Sequence, residues 1–418
     1  MPEFAYGSGP PKPVPPMKPE QLAEGITLVR PLSRKGVGPG MIVLAPNDDS
    51  ATPVEIEDGI PSLRMKWAEE GYCVVEIRSH ASSSALKTAV AKLSECAECE
   101  PKEKMGLICY DAHMWQEAIP EVEMLKDRIV VAGLYAEASQ HSALSAQVSV
   151  PTIYHLTGAT ETRLQKQPGS KVYEYGGSRN CTFPVPFHKD FHYATEAVSH
   201  SRNLAFFKPI MGGPYFDLEL LWEEHTYYEF EARDVENTMM TMVQEPYVNH
   251  VPTITGGIGR ENLTNFYRDH FVFSNPKDTE LELISRTTGI DRVVDEFIYK
   301  FTHDMTIDWL FPGVPPTYKY VEIPMMAVVN IRGDRLYHEH ITWDSATALK
   351  QIGALPEKVE LVVEEKRNGY VNGDGDGDGG VRKFEISLPT TGTATVAKMR
   401  DKNSVESNEM FQFKAREV

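Results

Sequence analysis

The sequence predicts two successive domains, an α/β unit with a mostly parallel sheet and then an α+β unit with a curved antiparallel sheet, followed by a small β appendix. Three observations predict this. A chain of 418 residues is longer than one ordinary domain. Its first half alternates short apolar runs with amphipathic stretches, whereas its second half sets helices ahead of long β-rich runs. Hydrophobic residues make up 41% and charged residues 24%, which supplies apolar material for two cores and excludes a largely disordered chain.

Residues 1–24 form a proline-rich arm containing Pro2, Pro10, Pro11, Pro13, Pro15, Pro16 and Pro19. Proline removes backbone donors and favours extended polyproline II, so a mobile or surface-draped arm is expected. From residue 26 to about 175 the apolar runs are 41–45, 72–77, 105–109, 128–132 and 151–155. Continuous β-branched runs of this length suit strands buried on both faces beneath covering helices. Helices are expected at 60–70 and 81–94, and a longer one at about 187–208 closes the unit assigned to residues 25–213.

After Gly212, Gly213 and Pro214 the pattern changes. Helices are expected at about 217–230, 235–244 and 260–270, then strands at 280–286, 292–301, 320–331 and 336–343, all within a unit of residues 214–355. Residues 356–418 form the appendix, with strands at 359–364 and 383–388 and a charged end, 398–418, that wraps over one of the domains. Asp374, Asp376, Asp378 and Gly379 followed by Glu385 match the spacing of a calcium-binding loop. An EF-hand needs helices on both sides, and these flanks read as strands, so a solvated hairpin loop is the reading.

Lysine plus arginine total 42 against 60 aspartate plus glutamate, a formal net charge of −18. Such a chain is repelled by phosphate backbones and anionic lipid, which argues against nucleic-acid and membrane partners. Five cysteines are no disulfide framework, and no basic-then-apolar signal opens the chain, so a cytoplasmic protein is expected. Cys96 and Cys99 have the spacing of a redox or zinc half-site, yet no second ligand pair sits at suitable spacing, and the pair follows a helix instead of opening one.

The element order of residues 25–212, with Tyr173-Glu-Tyr-Gly-Gly and a long helix ending Arg202-Asn-Leu-Ala-Phe-Phe-Lys208, resembles the dienelactone hydrolase family of α/β-hydrolases. The resemblance implies a cysteine nucleophile in G-x-C-x-G, an aspartate and a histidine. The elbow here reads Cys109-Tyr110-Asp111-Ala112-His113, with both glycines gone and Asp111 in the nucleophile position. The acid position falls at Glu161 and the base position at Asn180 or Cys181, where no histidine stands. Either Asp111 attacks as a carboxylate with His188 or His192 recruited as base, giving a lactone or ester hydrolase, or the frame is a scaffold. Cys109, two residues ahead of the elbow, reads as a buried strand residue.

The second half contains Trp222-Glu-Glu-His-Thr-Tyr-Tyr-Glu-Phe230, Tyr247-Val-Asn-His-Val-Pro252 and His338-Glu-His-Ile-Thr-Trp-Asp344. It looks like the SnoaL-like branch of the nuclear transport factor 2-like cone fold, whose members include polyketide cyclases, isomerases, dehydratases and epoxide hydrolases. A curved sheet against helices encloses an apolar pocket, and polar groups inside it shift their proton affinities. His225, His250, His270, His303, His338 and His340 are concentrated here, with Asp304, Asp308, Glu339 and Asp344. Period-two alternation places His338 and His340 on one face and Tyr337, Glu339, Ile341 and Trp343 on the other, and the first face is expected to meet the pocket. For any single histidine a structural role is an even alternative. The resemblance implies proton transfer without metal or organic cofactor on a small-molecule substrate. His250, His303, His338 or His340 would be the base, Asp304, Asp308 or Asp344 would orient or donate, and Tyr228 would hydrogen-bond an enolate oxygen. Both domain types commonly self-associate, which implies a homodimer. A non-catalytic binding or assembly role is the third class.

Overall fold

The five apolar runs of the first half become neighbouring parallel strands in the computed structural model, which describes residues 4, 6–7, 9–47, 54–79, 81, 84–145, 148–158, 169–364 and 381–418. The sheet runs Glu20–Ala23, Ile26–Val29, Cys73–Arg78, Gly40–Ala45, Met105–Cys109, Ile129–Glu137, Thr152–Thr157 and Lys171–Tyr175. The first two are antiparallel additions at one edge, and the rest pair in parallel. Helices Ala85–Glu95 and Ala112–Met124 cover one face through Leu86, Leu93, Trp115 and Ile119. Helices Leu63–Glu69 and Tyr193–Met211 cover the other through Trp67, Leu204, Phe207 and Met211. Burial on both faces is why these strands carry no polar alternation. Gly133 allows the close approach of strand and helix, because a Cβ there would stand 2.5 Å from Ile108 Cδ1 and 3.2 Å from Phe207 Cζ.

The second half folds as a six-stranded sheet in the order Thr255–Ile258, Met242–His250, Arg335–Trp343, Tyr320–Arg332, Arg292–Thr302 and Glu280–Thr288. Pairing is antiparallel except between Met242–His250 and Arg335–Trp343. The helix expected over 235–244 stops at Met240, and Met242–His250 is a strand inserted beside the last one. Its alternation of Val248 and His250 (buried) with Tyr247 and Asn249 (half-buried) is the strand signal, which the preceding helical residues mask. Helices Leu218–Thr226 and Arg260–Phe266 each run on into a π-helical turn, at Tyr227–Glu231 and Tyr267–Phe271. Such turns re-aim side chains and are frequent at functional sites.

Buried ion pairs join the two halves. Arg34 Nη1 donates to Glu224 Oε2 at 2.6 Å, and Arg332 Nη1 to Glu69 Oε2 at 2.9 Å. The hairpin turn at Gly333 has φ +59°, and a Cβ there would lie 2.3 Å from Glu69 O, so only glycine lets this turn seat against the end of helix Leu63–Glu69. The arm drapes over the same region: the Phe4 ring is 5.3 Å from that of Tyr227, and Arg335 Nη2 donates to Lys12 O and Pro13 O at 2.8 and 3.1 Å. In the appendix, Lys358–Glu364 and Val381–Ser387 pair as a hairpin that gains a third short strand, Arg416–Glu417. Helix Ala394–Arg400 is tied to the second sheet by Arg400, which donates to Glu282 and Glu322. The Gly-Asp loop lies outside the described residues. No helix of the described residues is long and apolar enough to cross a membrane.

Candidate functional site

In the first half the expected constellation does not come together among the described residues. Asp111 is the N-cap of helix Ala112–Met124: its Oδ1 accepts from the backbone N–H of His113 at 2.8 Å and of Met114 at 3.0 Å. Its φ of −143° is ordinary extended backbone, not a strained elbow. Cys109 is buried, its Sγ donates to Asp111 O at 3.0 Å, and burial pushes its thiol pKa up, away from nucleophile character. His188 Nδ1 accepts from the Asp190 backbone N–H at 3.2 Å, and no described hydrogen bond links it to Asp111. Glu161 lies outside the described residues. Asp111→Ala is therefore expected to cost about 1 kcal/mol of stability through the lost cap, measurable by urea titration.

In the second half the histidines separate. His338 and His340 stack on each other at 4.7 Å on the outer side of the sheet, while Glu339 and Ile341 line the inner cavity: the expected alternation holds, but the face that meets the cavity is the packed one, not the histidine face expected from sequence. Asn330 pairs with His338 but Ile331 pairs with Leu336, so Tyr337 is an extra, bulged residue that turns outward with His338 instead of inward with Glu339, Ile341 and Trp343. Tyr337 OH lies 2.9 Å from Tyr193 OH of the first half, on that outer side. His303 is buried at the far end of the sheet, with Nδ1 3.0 Å from Thr317 Oγ1, and does not line the cavity. Asp304 is exposed, Asp308 Oδ2 pairs with His270 Nδ1 at 2.7 Å outside the cavity, and Asp344 caps helix Ser345–Ile352. Tyr228 packs against Phe4 and Tyr227 rather than the cavity. Of the nominated residues, His250 alone is in the cavity wall. Burial pushes its pKa down to about 3, and it is caged by Trp309 and Phe271, ring centroids 4.7 and 5.5 Å away.

A different group meets at the inner end of the chamber. Helix Leu218–Thr226 presents His225, the π-helical turn after it presents Glu229, the second π-helical turn Tyr267, and the strand Arg335–Trp343 Glu339. His225 Nε2 is 3.1 Å from Glu229 Oε1, 3.1 Å from Glu339 Oε1 and 3.3 Å from Tyr267 OH. Thr241 Oγ1 donates its proton to Thr238 O at 2.6 Å, so it accepts from His225 Nδ1–H, also at 2.6 Å. That fixes one ring proton and directs the other nitrogen at the carboxylates. Burial pulls the His225 pKa down, but Glu229 and Glu339 outweigh it and push it up to about 10, so the ring is an imidazolium at neutral pH. Burial pushes Glu229 upward against the pull of His225, and burial with Glu339 and Glu229 raises Tyr267 far above the ordinary phenol range.

Glu229 and Glu339 open onto a cavity of about 40 Å³ whose other walls include Trp222, Phe230, Phe297, Tyr299 and Trp309. Three ligand atoms of His225, Glu229 and Glu339 lie within 4.8 Å of one another, so this is the group among the described residues with the donors to hold a divalent cation. A proton on His225 serves the same electrostatic purpose, bridging two carboxylates that repel each other. The i, i+4 spacing of His225 and Glu229 was visible in the sequence, whereas their meeting with Glu339 and Tyr267 was not.

No family model matches the chain, and no curated protein matches it. Solved structures do. One is a candidate SnoaL-like polyketide cyclase from Jannaschia sp. CCS1 (18% identity, 34% of this chain and 99% of that one, TM-score 0.28). Another is a hypothetical protein with a ketosteroid isomerase-like fold from Catenulispora acidiphila (14% identity, 32% and 93%, TM-score 0.26). A third is TsrD from Streptomyces laurentii (17% identity, 33% and 96%, TM-score 0.28). These likenesses cover about a third of the chain and give no support to a dienelactone hydrolase-like first half. Identities and scores this low carry no assignment of activity.

Proposed function

We propose that the chain is a cofactor-independent enzyme that moves a proton within a small, partly apolar metabolite, in a cyclisation, isomerisation, dehydration or hydrolysis, at the inner end of the second-half chamber. One observation carries this reading: two buried carboxylates that open onto an apolar cavity and are bridged from behind by an imidazolium. Glu229, whose pKa is raised by burial, is the proton donor, and Glu339 the base. His225 and Tyr267 are positioning residues that hold the carboxylates and balance their charge. Walls of tryptophan and phenylalanine exclude water, which strengthens each of these interactions.

The test is turnover of a panel containing a lactone, an epoxide and a β-hydroxyketone. On whichever compound reacts, Glu339→Gln is expected to lower kcat by about 10²- to 10⁴-fold with the fold kept, the range of one general acid–base group. His338→Gln with His340→Gln is expected to leave the rate unchanged. Full activity in Glu339→Gln would overturn the assignment.

One observation favours a second, non-catalytic reading. The cavity of about 40 Å³ is smaller than a metabolite, while wider spaces lie elsewhere, such as a groove of about 360 Å³ beneath residues 14–17. Crystals soaked with the same panel separate the two: a chamber enlarged around a ligand supports the enzyme, and an unchanged chamber supports a binding or assembly protein.

A further inference from the structure

The Cys96–Cys99 pair has no partner within its own stretch of sequence, but the fold brings it one. Cys73 opens the strand Cys73–Arg78, next to Gly40–Ala45 in the sheet. Cys96 is the C-cap of helix Ala85–Glu95, which packs on that strand, and the turn after it returns Cys99 to bridge Gly38. Cys73 Sγ lies 3.5 Å from Cys96 Sγ, and Cys99 lies close enough to join Cys96 in pushing the Cys73 thiol pKa up. The three sulfurs do not reach the mutual spacing found among His225, Glu229 and Glu339, which favours pairwise sulfur chemistry over a shared metal. Cys73 and Cys99 are fully buried, whereas Cys96 is 9% exposed, so a small solvent-borne oxidant reaches Cys96 first.

We propose that Cys73, Cys96 and Cys99 form an oxidant-sensitive thiol site in which hydrogen peroxide links Cys96 to Cys73. The Cys96 sulfur attacks one peroxide oxygen, the O–O bond breaks, and Cys96 becomes a sulfenic acid with release of water. The Cys73 sulfur then attacks the Cys96 sulfur, the S–O bond breaks, and the hydroxyl leaves with the Cys73 proton as a second water. Two thiols are oxidised by two electrons and one peroxide is reduced to two waters. Cys99, in contact with Cys73, can exchange into the bond without further oxidant. The hydrogen bond from Cys73 lowers the Cys96 pKa to about 7, which raises its thiolate fraction at neutral pH. The remaining cysteines lack this setting: burial pushes Cys109 up, and Cys181 up to about 11. The bond would tie the end of helix Ala85–Glu95 to the middle of the first sheet.

The experiment treats the full chain with one equivalent of hydrogen peroxide, alkylates the remaining thiols under denaturing conditions and maps tryptic peptides. Two thiols should disappear, and residues 67–78 should be found linked to residues 93–102, reversibly with dithiothreitol. Cys96 should oxidise more than about tenfold faster than Cys181, as its lower pKa requires even though Cys181 is the more exposed thiol. Cys73→Ser should abolish the link and leave Cys96 trappable by dimedone, and Cys181→Ser should leave the link intact. Five free thiols after treatment, oxidation first at Cys109 or Cys181, or a Cys96–Cys99 bond with Cys73 free would each overturn the proposal, and the wild-type map alone reads all three.

Discussion

Replacing Arg34 by methionine is expected to lower the unfolding free energy by about 3–5 kcal/mol, the cost of leaving one member of a buried ion pair alone. Arg34 and Glu224 each have side chains only 1% exposed, and their 2.6 Å contact crosses between the two halves of the chain. With methionine at position 34, the Glu224 carboxylate stays in the interior without that cation. Arg332–Glu69 is a second buried bridge across the same boundary and should hold the halves together in the variant, so the loss reads as stability, not dissociation. The double variant Arg34→Met with Glu224→Leu is expected to recover most of the loss, because a well-packed apolar pair of similar volume replaces two desolvated charges. Urea midpoints at constant slope measure both. A single-variant loss below about 1 kcal/mol would mean that water reaches this pair.

Acidification is expected to unfold the chain well above the ordinary carboxylate range. Burial pushes His155, His250 and His338 down to about 3, with Arg202 and His200 adding to the effect at His155, and His340, Arg292, Arg332 and Lys66 at His338. In the unfolded chain each takes up a proton near pH 6.5. Between those limits the unfolded chain binds more protons than the folded one, so stability rises with pH and is lost as pH falls below about 6.5. Each buried neutral ring contributes about 1.4 kcal/mol per pH unit, and the three together about 4 kcal/mol per unit once pH is well below 6.5. His225 acts in the opposite sense. Its folded pKa of about 10 is raised, so its contribution is complete below pH 6.5 and disappears as pH climbs through 10. Urea titrations from pH 7 to 5 should show the acid slope, and His338→Gln should make it shallower, as one of the buried neutral rings is removed. A pH-independent midpoint would show that these rings are hydrated in the folded state.

Much of the architecture was legible because it is local. Runs such as Met105–Cys109, buried at every position, need no alternation when helices cover both faces. Aspartates also stand at helix starts, where Asp111, Asp217, Asp234 and Asp344 all prove to be N-caps, a signal that the reading by site chemistry passed over. The same fact shows why residue type misled at Asp111 and Asp344: a carboxylate placed to satisfy backbone N–H groups looks, in sequence, like one placed to do chemistry. The strand Met242–His250 was hidden behind six helical residues, Val235–Met240, so its first residues were read into the helix expected over 235–244.

The sequence by itself determined the strands buried on both faces, the acidic net charge and the concentration of histidines in the second half, because each depends on residue identity and not on which segments meet. Tertiary structure decided which titratable groups meet. Period-two alternation separated His338 and His340 from Glu339, Ile341 and Trp343, but which of the two faces the helices close over is settled only by the packing, and the packed face is also the one that lines the cavity. His225 with Glu339, and Cys73 with Cys96, are contacts between segments far apart in the chain, fixed by how helices seat on sheets, and no local pattern encodes that distance.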